Sequence, residues 1–154
     1  MTAHTVTTAE LATAELATVD AGQVGRLLKR AQYRNHRALD RALAAVGTTL
    51  AQWDALRAIA EAPAASAHEL ATATFQSDQA FGTLASRLIA QGLVERSPGR
   101  GRRVEHRLTD AGEHLFDEGA VVAAAVTARS FAELSNADLA TLHALLARVG
   151  APVD

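Results

Sequence analysis

The chain has 154 residues, the length of one domain, and its 49% hydrophobic content can fill a core. Cysteine is absent, which excludes disulfides, thiolate metal sites and thiol redox sensing. The net charge of −2 conceals a segregation, because residues 21–107 carry 13 Lys and Arg against 7 Asp and Glu, and the rest carries 2 against 10. A basic region of this kind favours contact with a polyanion.

The sequence contains no segment typical of a membrane or secreted protein. No apolar run reaches the roughly 18 residues of a membrane span. The first residues, MTAHTVTTAELATAEL, lack the basic start and apolar core of a secretory signal. We therefore expect a cytoplasmic protein.

The N-terminal part of the chain contains a weakly patterned segment and then a long helix. Residues 1–18 are rich in Thr and Ala, which predicts a flexible arm ahead of a single domain at 19–154. Apolar residues at helical spacing predict a helix over about 19–46, with Gly47 as its stop. A basic stripe runs along this helix and consists of Arg26, Arg30, Arg34, Arg37 and Arg41.

Local signals mark the starts of the later helices. In a capping box, a Ser or Thr and a residue three positions later satisfy free backbone N–H groups. Thr49 with Gln52, Ser66 with Glu69, and Ser135 with Asp138 fit or approximate this spacing, and Ser77 and Thr109 are further N-cap candidates.

The middle of the chain predicts a helix-turn-helix followed by a β-hairpin. A short helix in AHELATAT, a tight turn and a second helix in DQAFGTLASRLIAQG give the helix-turn-helix pattern, and Gly92 is its C-cap. The extended pieces LVERS and RVEHRL surround PGRG, which predicts the hairpin. Two helices follow, at about 110–132 and 135–149. The predicted fold is mainly α with a small β-hairpin wing, and the winged helix-turn-helix covers about 49–109.

This order of elements resembles the multiple antibiotic resistance regulator (MarR) family of winged-helix transcription factors. The resemblance rests on LAQWDALRAI, ELATATFQSDQAFGTLASRLIAQGLVERS and RRVEHRLTDAG, and it spans roughly residues 24–149. It implies a sequence-specific regulator of transcription that binds double-stranded DNA. It also implies a repressor that a small aromatic or phenolic ligand releases.

The helix-turn-helix and the arginine-rich hairpin both suit DNA binding. A winged helix places one helix in the major groove, and its hairpin reaches phosphates or the minor groove. Gln can read adenine, the Thr methyl can touch a thymine methyl, and Arg pairs with phosphate. The predicted DNA-binding residues are Gln79, Thr83, Ser86, Arg87, Arg100, Arg102 and Arg103.

The resemblance further implies a homodimer formed by the first and the last two helices. The segments GAVVAAAV at 119–126 and LATLHALLARV at 139–149 hold more apolar surface than one small domain needs. Since a symmetric dimer has two recognition helices, its operator is expected to be pseudo-palindromic.

Members of the family bind small aromatic anions between the dimer helices and the DNA-binding lobe, which implies a ligand site here. Stacking, hydrogen bonding and positive charge would come from Tyr33, His36, Trp53 and Arg57. Trp53 lies on an apolar helix face, where a tryptophan more often belongs to the core.

Enzyme and metal motifs are absent from the sequence. There is no nucleophile elbow, phosphate loop or HExxH, so we expect no enzyme. The six histidines lack metal-ligand spacing, so neither a metal nor another cofactor is expected. The alternative function is a dimeric helical adaptor whose winged helix binds protein, which a recognition helix almost without charge would favour.

Overall fold

The computed structural model describes residues 19–99 and 104–149, which form six α-helices and one two-stranded sheet. The mainly helical fold with a hairpin wing is confirmed. The elements are α1 (Ala21–Ala44), α2 (Leu50–Glu61), α3 (Ala67–Ala73), α4 (Asp78–Ala90), β1 (Val94–Pro98), β2 (Val104–Leu108), α5 (Asp110–Ser130) and α6 (Asn136–Val149).

Two predicted segments lie outside the described residues. They are the arm at 1–18 and the wing loop that carries Arg100, Arg102 and Arg103. The chain divides into two compact units, 1–35 and 36–154, with the boundary inside α1. The single domain over 19–154 stays a prediction. Leu43, near the C-terminal end of α1, is the buried residue of this helix.

The predicted capping signals start the helices. Thr49 and Ser66 form complete capping boxes with the residues three positions later. At α6, the Asp138 carboxylate accepts from the Ser135 N–H at 3.0 Å, and Ser135 Oγ accepts from the Asp138 N–H at 3.2 Å. The side-chain and backbone hydrogen bonds from Ser135 lower the pKa of the Asp138 carboxyl. Ser77 is confirmed as the N-cap of α4.

Three helices end with a residue of positive φ, which is where glycine is favoured. The predicted stops Gly47 and Gly92 have φ of +82° and +72°. Gly92 lies one residue beyond the C-cap of α4, which is Gln91. The third such residue, Phe75 after α3, has φ of +54° and is not glycine.

The core lies between α2, α3, α4 and the hairpin. On α4, Phe81, Ala85 and Leu88 are buried at helical spacing, as predicted, and Leu84 is half-buried. Burial of each large apolar side chain contributes about 1.5–3 kcal/mol. The largest fully buried side chains are Leu43, Leu56, Ile59, Leu70, Phe81, Leu88 and Val94.

The hairpin is antiparallel, and its register pairs Val94 with Leu108 and Pro98 with Val104. Proline is tolerated at this position because it closes the strand, where a missing N–H costs little. Among the described residues, no helix is both long and apolar enough to cross a membrane.

Candidate nucleic-acid interface

Helix α4 has one buried face and one polar face that carries little charge. The buried face is held in the core, which fixes the side of the helix that meets solvent. The four residues predicted to contact DNA from this helix are all exposed: Gln79, Thr83, Ser86 and Arg87.

The hydroxyl groups on this face are committed to the helix backbone. Thr83 Oγ1 donates to the Gln79 carbonyl at 3.0 Å, and Ser86 Oγ donates to the Gly82 carbonyl at 2.9 Å. Because each hydroxyl has one proton, Thr83 offers a methyl group and oxygen lone pairs to a ligand. The face therefore suits methyl contacts and the amide of Gln79 more than hydroxyl donation.

The N-terminus of α4 is fixed by two contacts. Ser77 Oγ accepts from the Ala80 N–H at 3.2 Å, and Asp78 lies in the first turn, where a negative charge is favourable. His68 of α3 pairs with Asp78 through Nδ1 and Oδ1 at 2.9 Å, which ties the two helices of the motif together. Sequence reasoning missed His68, because its partner lies ten residues away across a turn.

The hairpin packs on α4 through an aromatic contact. The rings of Phe81 and His106 meet edge to face, with centroids 6.2 Å apart. Within the described part of the chain, His106 Nδ1 is buried without a hydrogen-bond partner. Burial, and then the charge of Arg96 on the facing strand, lower the pKa of His106.

Glu105 lies at the base of the wing loop. Its carboxylate accepts from the Arg107 guanidinium at 3.2 Å. A Cβ at Gly99 would come within 2.8 Å of Glu105 Oε1, so the glycine leaves room for this side chain. Sequence reasoning did not single out Glu105. The loop arginines that follow Gly99 lie outside the described residues.

Gly92 and Leu93 after α4 contact Thr109 and Gly112 at the start of α5, and these four residues form a joint between the two helices. Thr109 Oγ1 donates to the Gly92 carbonyl at 2.6 Å, and the Thr109 N–H donates to the Leu93 carbonyl at 3.1 Å. The same Oγ1 accepts from the Gly112 N–H at 3.1 Å and so caps α5. A Cβ at Gly112 would overlap the Leu93 carbonyl oxygen, which explains the glycine in LTDAG.

Trp53 joins α2 to α5. Its indole N–H donates to the Phe116 carbonyl at 3.1 Å, and its ring stacks on the Phe116 ring with centroids 6.1 Å apart. Gly119 lies beneath the indole, and a Cβ there would overlap it. Trp53 is half-buried, so part of its ring still faces solvent.

The other predicted ligand residues differ in their surroundings. Arg57 pairs with Asp54 at 2.7 Å and with Glu61 at 2.8 Å. Partial burial lowers the pKa of Arg57, but the hydrogen bonds and charges of the two carboxylates outweigh it and raise the pKa. Tyr33 and His36 are exposed, and Tyr33 belongs to the first unit, 1–35.

An open groove of about 610 Å³ lies beside the end of α2, β2 and the start of α5. It holds two carboxylates and one guanidinium that is already paired, so its charge does not favour an anion. None of the four predicted ligand residues lines it. The lining residues are Ile59, Ala60, Pro63, Arg107, Leu108, Glu113, Phe116 and Asp117. No group of three or more potential metal ligands occurs among the described residues.

The family model of the MarR family matches residues 46–103, which contain α2, α3, α4 and β1. This match covers the helix-turn-helix, and the fold extends the likeness to the remaining helices. Over this segment and in its fold, the chain is similar to the MarR family of winged-helix transcriptional regulators.

Solved MarR-family structures extend the comparison. A mutant MarR from E. coli complexed with operator DNA is 26% identical, with a TM-score of 0.75, and the match covers 83% of this chain and 94% of that one. The Mycobacterium tuberculosis MarR family protein Rv2887 is 28% identical. Its complex with p-aminosalicylic acid has a TM-score of 0.69, with 82% and 98% of the two chains covered. Its complex with DNA has a TM-score of 0.67, with 82% and 97% covered. Among curated proteins, none matches the chain significantly.

Proposed function

We propose that the protein is a homodimeric repressor that binds a pseudo-palindromic DNA operator and is released by a small aromatic or phenolic acid. Helix α4 carries this proposal, because its apolar face is buried and its polar face is exposed. A basic hairpin packs beside it through Phe81 and His106.

The residues divide between base reading and backbone binding. Gln79 reads an adenine edge through its amide, and the Thr83 methyl touches a thymine methyl. Ser86 lies farther along the same face. Phosphates are bound by Arg87 and by the loop arginines Arg100, Arg102 and Arg103. The DNA complexes of E. coli MarR and Rv2887, which share this fold, support DNA binding.

Dimerisation gives the operator its symmetry. The exposed apolar residues of α5 and α6 support a homodimer, since a monomer would leave them in water. Two copies of α4 then enter successive major grooves about 10 base pairs apart.

Effector release is supported by the Rv2887 complexes with salicylic acid and p-aminosalicylic acid. In this chain, the half-buried Trp53 offers stacking, and the exposed His36 offers a polar group. For Arg57 to bind the carboxylate, the ligand has to replace Asp54 or Glu61. The acid shifts the equilibrium only if it binds the DNA-free form better than the bound form.

Salt dependence separates the two kinds of DNA contact. Arg102→Ala should weaken binding to every duplex and lower the slope of log affinity against log salt by about two units per dimer, one per lost contact. Gln79→Ala should leave the slope unchanged and cost about 1–3 kcal/mol on the preferred operator alone. The assay is fluorescence anisotropy with operator and random duplexes, and phenolic acids added to it test release.

Arg129→Ala is the matched control, because this arginine ends α5 away from the recognition helix. It should change neither affinity nor slope. If the wild-type protein shows no salt-sensitive binding to any duplex, the protein-binding adaptor replaces the proposal.

A further inference from the structure

Phe75 lies in the turn between α3 and α4 and combines two unfavourable features. Its side chain is 98% exposed, and its φ of +54° places a non-glycine residue in the left-handed region. An aromatic ring in water lacks the stabilisation that burial of its large apolar surface would give. A side chain at positive φ adds backbone strain.

Among the described residues, the same backbone arrangement occurs twice more, each time with glycine. After α3, the Phe75 N–H donates to the Thr72 carbonyl at 3.1 Å, and the Gln76 N–H reaches the Ala71 carbonyl at 2.9 Å. The ends of α1 and α4 have the equivalent pair of bonds, and there the residue of positive φ is glycine. The fold therefore requires a left-handed residue at 75 and does not require phenylalanine.

Because almost the whole ring is exposed, Phe75 contributes little to packing within the described chain. Glycine would relieve the strain and remove exposed apolar surface together. A side chain with these two costs points to a contact made outside the chain.

The position of Phe75 identifies the partner. It lies two residues before Ser77, the N-cap of α4, and the N-terminal residues of a recognition helix are those that contact base edges. His68 and Asp78 hold this end of α4 to α3, so the turn has a fixed place beside the helix start.

We propose that Phe75 contacts DNA, with its ring packed on the apolar C–H surface of the duplex at the edge of the major groove. That surface consists of deoxyribose carbons and thymine methyl groups. The proposal rests on the DNA-binding function proposed above and adds to it an uncharged contact. Phe75 supplies affinity that does not depend on salt and that Gln79 and the arginines do not provide.

Three variants distinguish the contribution of the aromatic ring from the effect of the strained backbone. Phe75→Asn removes the ring and keeps a residue that tolerates positive φ, Phe75→Gly also relieves the strain, and Phe75→Tyr keeps the ring. We expect Asn and Gly to weaken operator binding about fivefold per protomer, or about 25-fold per dimer, with an unchanged salt slope. Tyr should bind nearly as wild type. Phe75→Gly should also raise the melting temperature by about 2–4 °C.

The two apolar sources on DNA are distinguished by replacing thymine with deoxyuridine across the operator. If the ring sits on a thymine methyl, the wild type loses affinity at one position per half-site besides the thymine that Thr83 contacts, and the Asn variant loses nothing further there. If it sits on deoxyribose, the Asn variant binds more weakly at every substitution, by the same factor.

Equal operator affinity for wild type, Asn and Gly variants, measured while the wild type binds DNA, overturns the inference alone. It would then assign Phe75 to a protein contact. A change in the sedimentation of the Asn variant also overturns it, because the ring would then belong to a subunit interface. Absence of DNA binding by the wild type overturns both this inference and the proposed function.

Discussion

At the scale of single residues, His106 links the stability of the fold to the proposed DNA-binding surface. Its ring supports Phe81 of the recognition helix, and its buried Nδ1 has no hydrogen-bond partner in the described chain. A buried group of this kind favours the neutral ring, and Arg96 on the facing strand adds to the effect. Protonation would place a charge between the hairpin and α4.

His106 should therefore make the fold less stable in mild acid. Because the folded pKa lies below the usual 6.5, the unfolded chain binds more protons below that pH. Its stabilising contribution is complete above about pH 6.5 and is lost as pH falls towards the folded pKa. Denaturant unfolding at pH 7.5 and 5.5, at fixed protein concentration, should show a smaller decrease for His106→Leu than for wild type. Parallel decreases would show that His106 does not titrate in this window.

At the scale of elements, helix boundaries and helix contacts differ in how well sequence reveals them. Ser77 and Thr109 could be identified as caps because the N–H they accept from lies three residues away. The indole N–H of Trp53 finds its acceptor 63 residues along the chain, and no local pattern indicates that. The local sequence also does not reveal that glycine is needed at position 119, because the indole that crowds this position comes from α2.

Sequence reasoning found the exposed face of α4 in the candidate site but missed the ion pairs of Arg57. Helical periodicity predicted the exposed face of α4, including Gln79 and Thr83, because one face of an amphipathic helix has to be buried. The pairing of Arg57 with Asp54 and Glu61 was missed, although their spacing of three and four residues on α2 would have suggested it. Assigned roles in DNA or ligand binding stay predictions.

The joint between α4 and α5 gives a prediction at this scale. Gly112→Ala should destabilise the protein by about 1–3 kcal/mol, because a Cβ overlaps the Leu93 carbonyl and neither backbone segment can move alone. The control is Gly82→Ala in α4, where a Cβ meets nothing within 4 Å. It should stabilise the helix by up to about 1 kcal/mol. Denaturant unfolding measures the free energy of unfolding of both variants. Equal changes would show that close packing at Gly112 does not stabilise the protein.

At the scale of the whole molecule, the C-terminal helices present apolar surface that the described part of the chain does not cover. Helix α6 has no buried residue, and Leu145 and Val149 are 48% and 71% exposed. On α5, Val121 is also 71% exposed. In the proposed homodimer, a second copy of the chain covers this surface.

A charge on α6 should separate the subunits. Leu145→Arg should give monomers in sedimentation at micromolar concentration and should lower operator affinity by at least tenfold, because the two half-sites then bind independently. Leu142→Arg, at a half-buried position, should act in the same direction. Ala140→Arg adds the same charge on the opposite side of the helix, at 100° per residue, and should remain dimeric. A monomeric wild type would remove the basis for a symmetric operator.

The joint formed by Gly92, Leu93, Thr109 and Gly112 also limits how this protein can be recombined with its relatives. The hydrogen bonds of Thr109 and the close approach at Gly112 depend on backbone atoms that lie on both sides of the wing. A chimera that exchanges the recognition helix or the wing with a relative should therefore take residues 92–112 from one parent. A crossover inside this range would combine halves of the joint that have not adapted to each other.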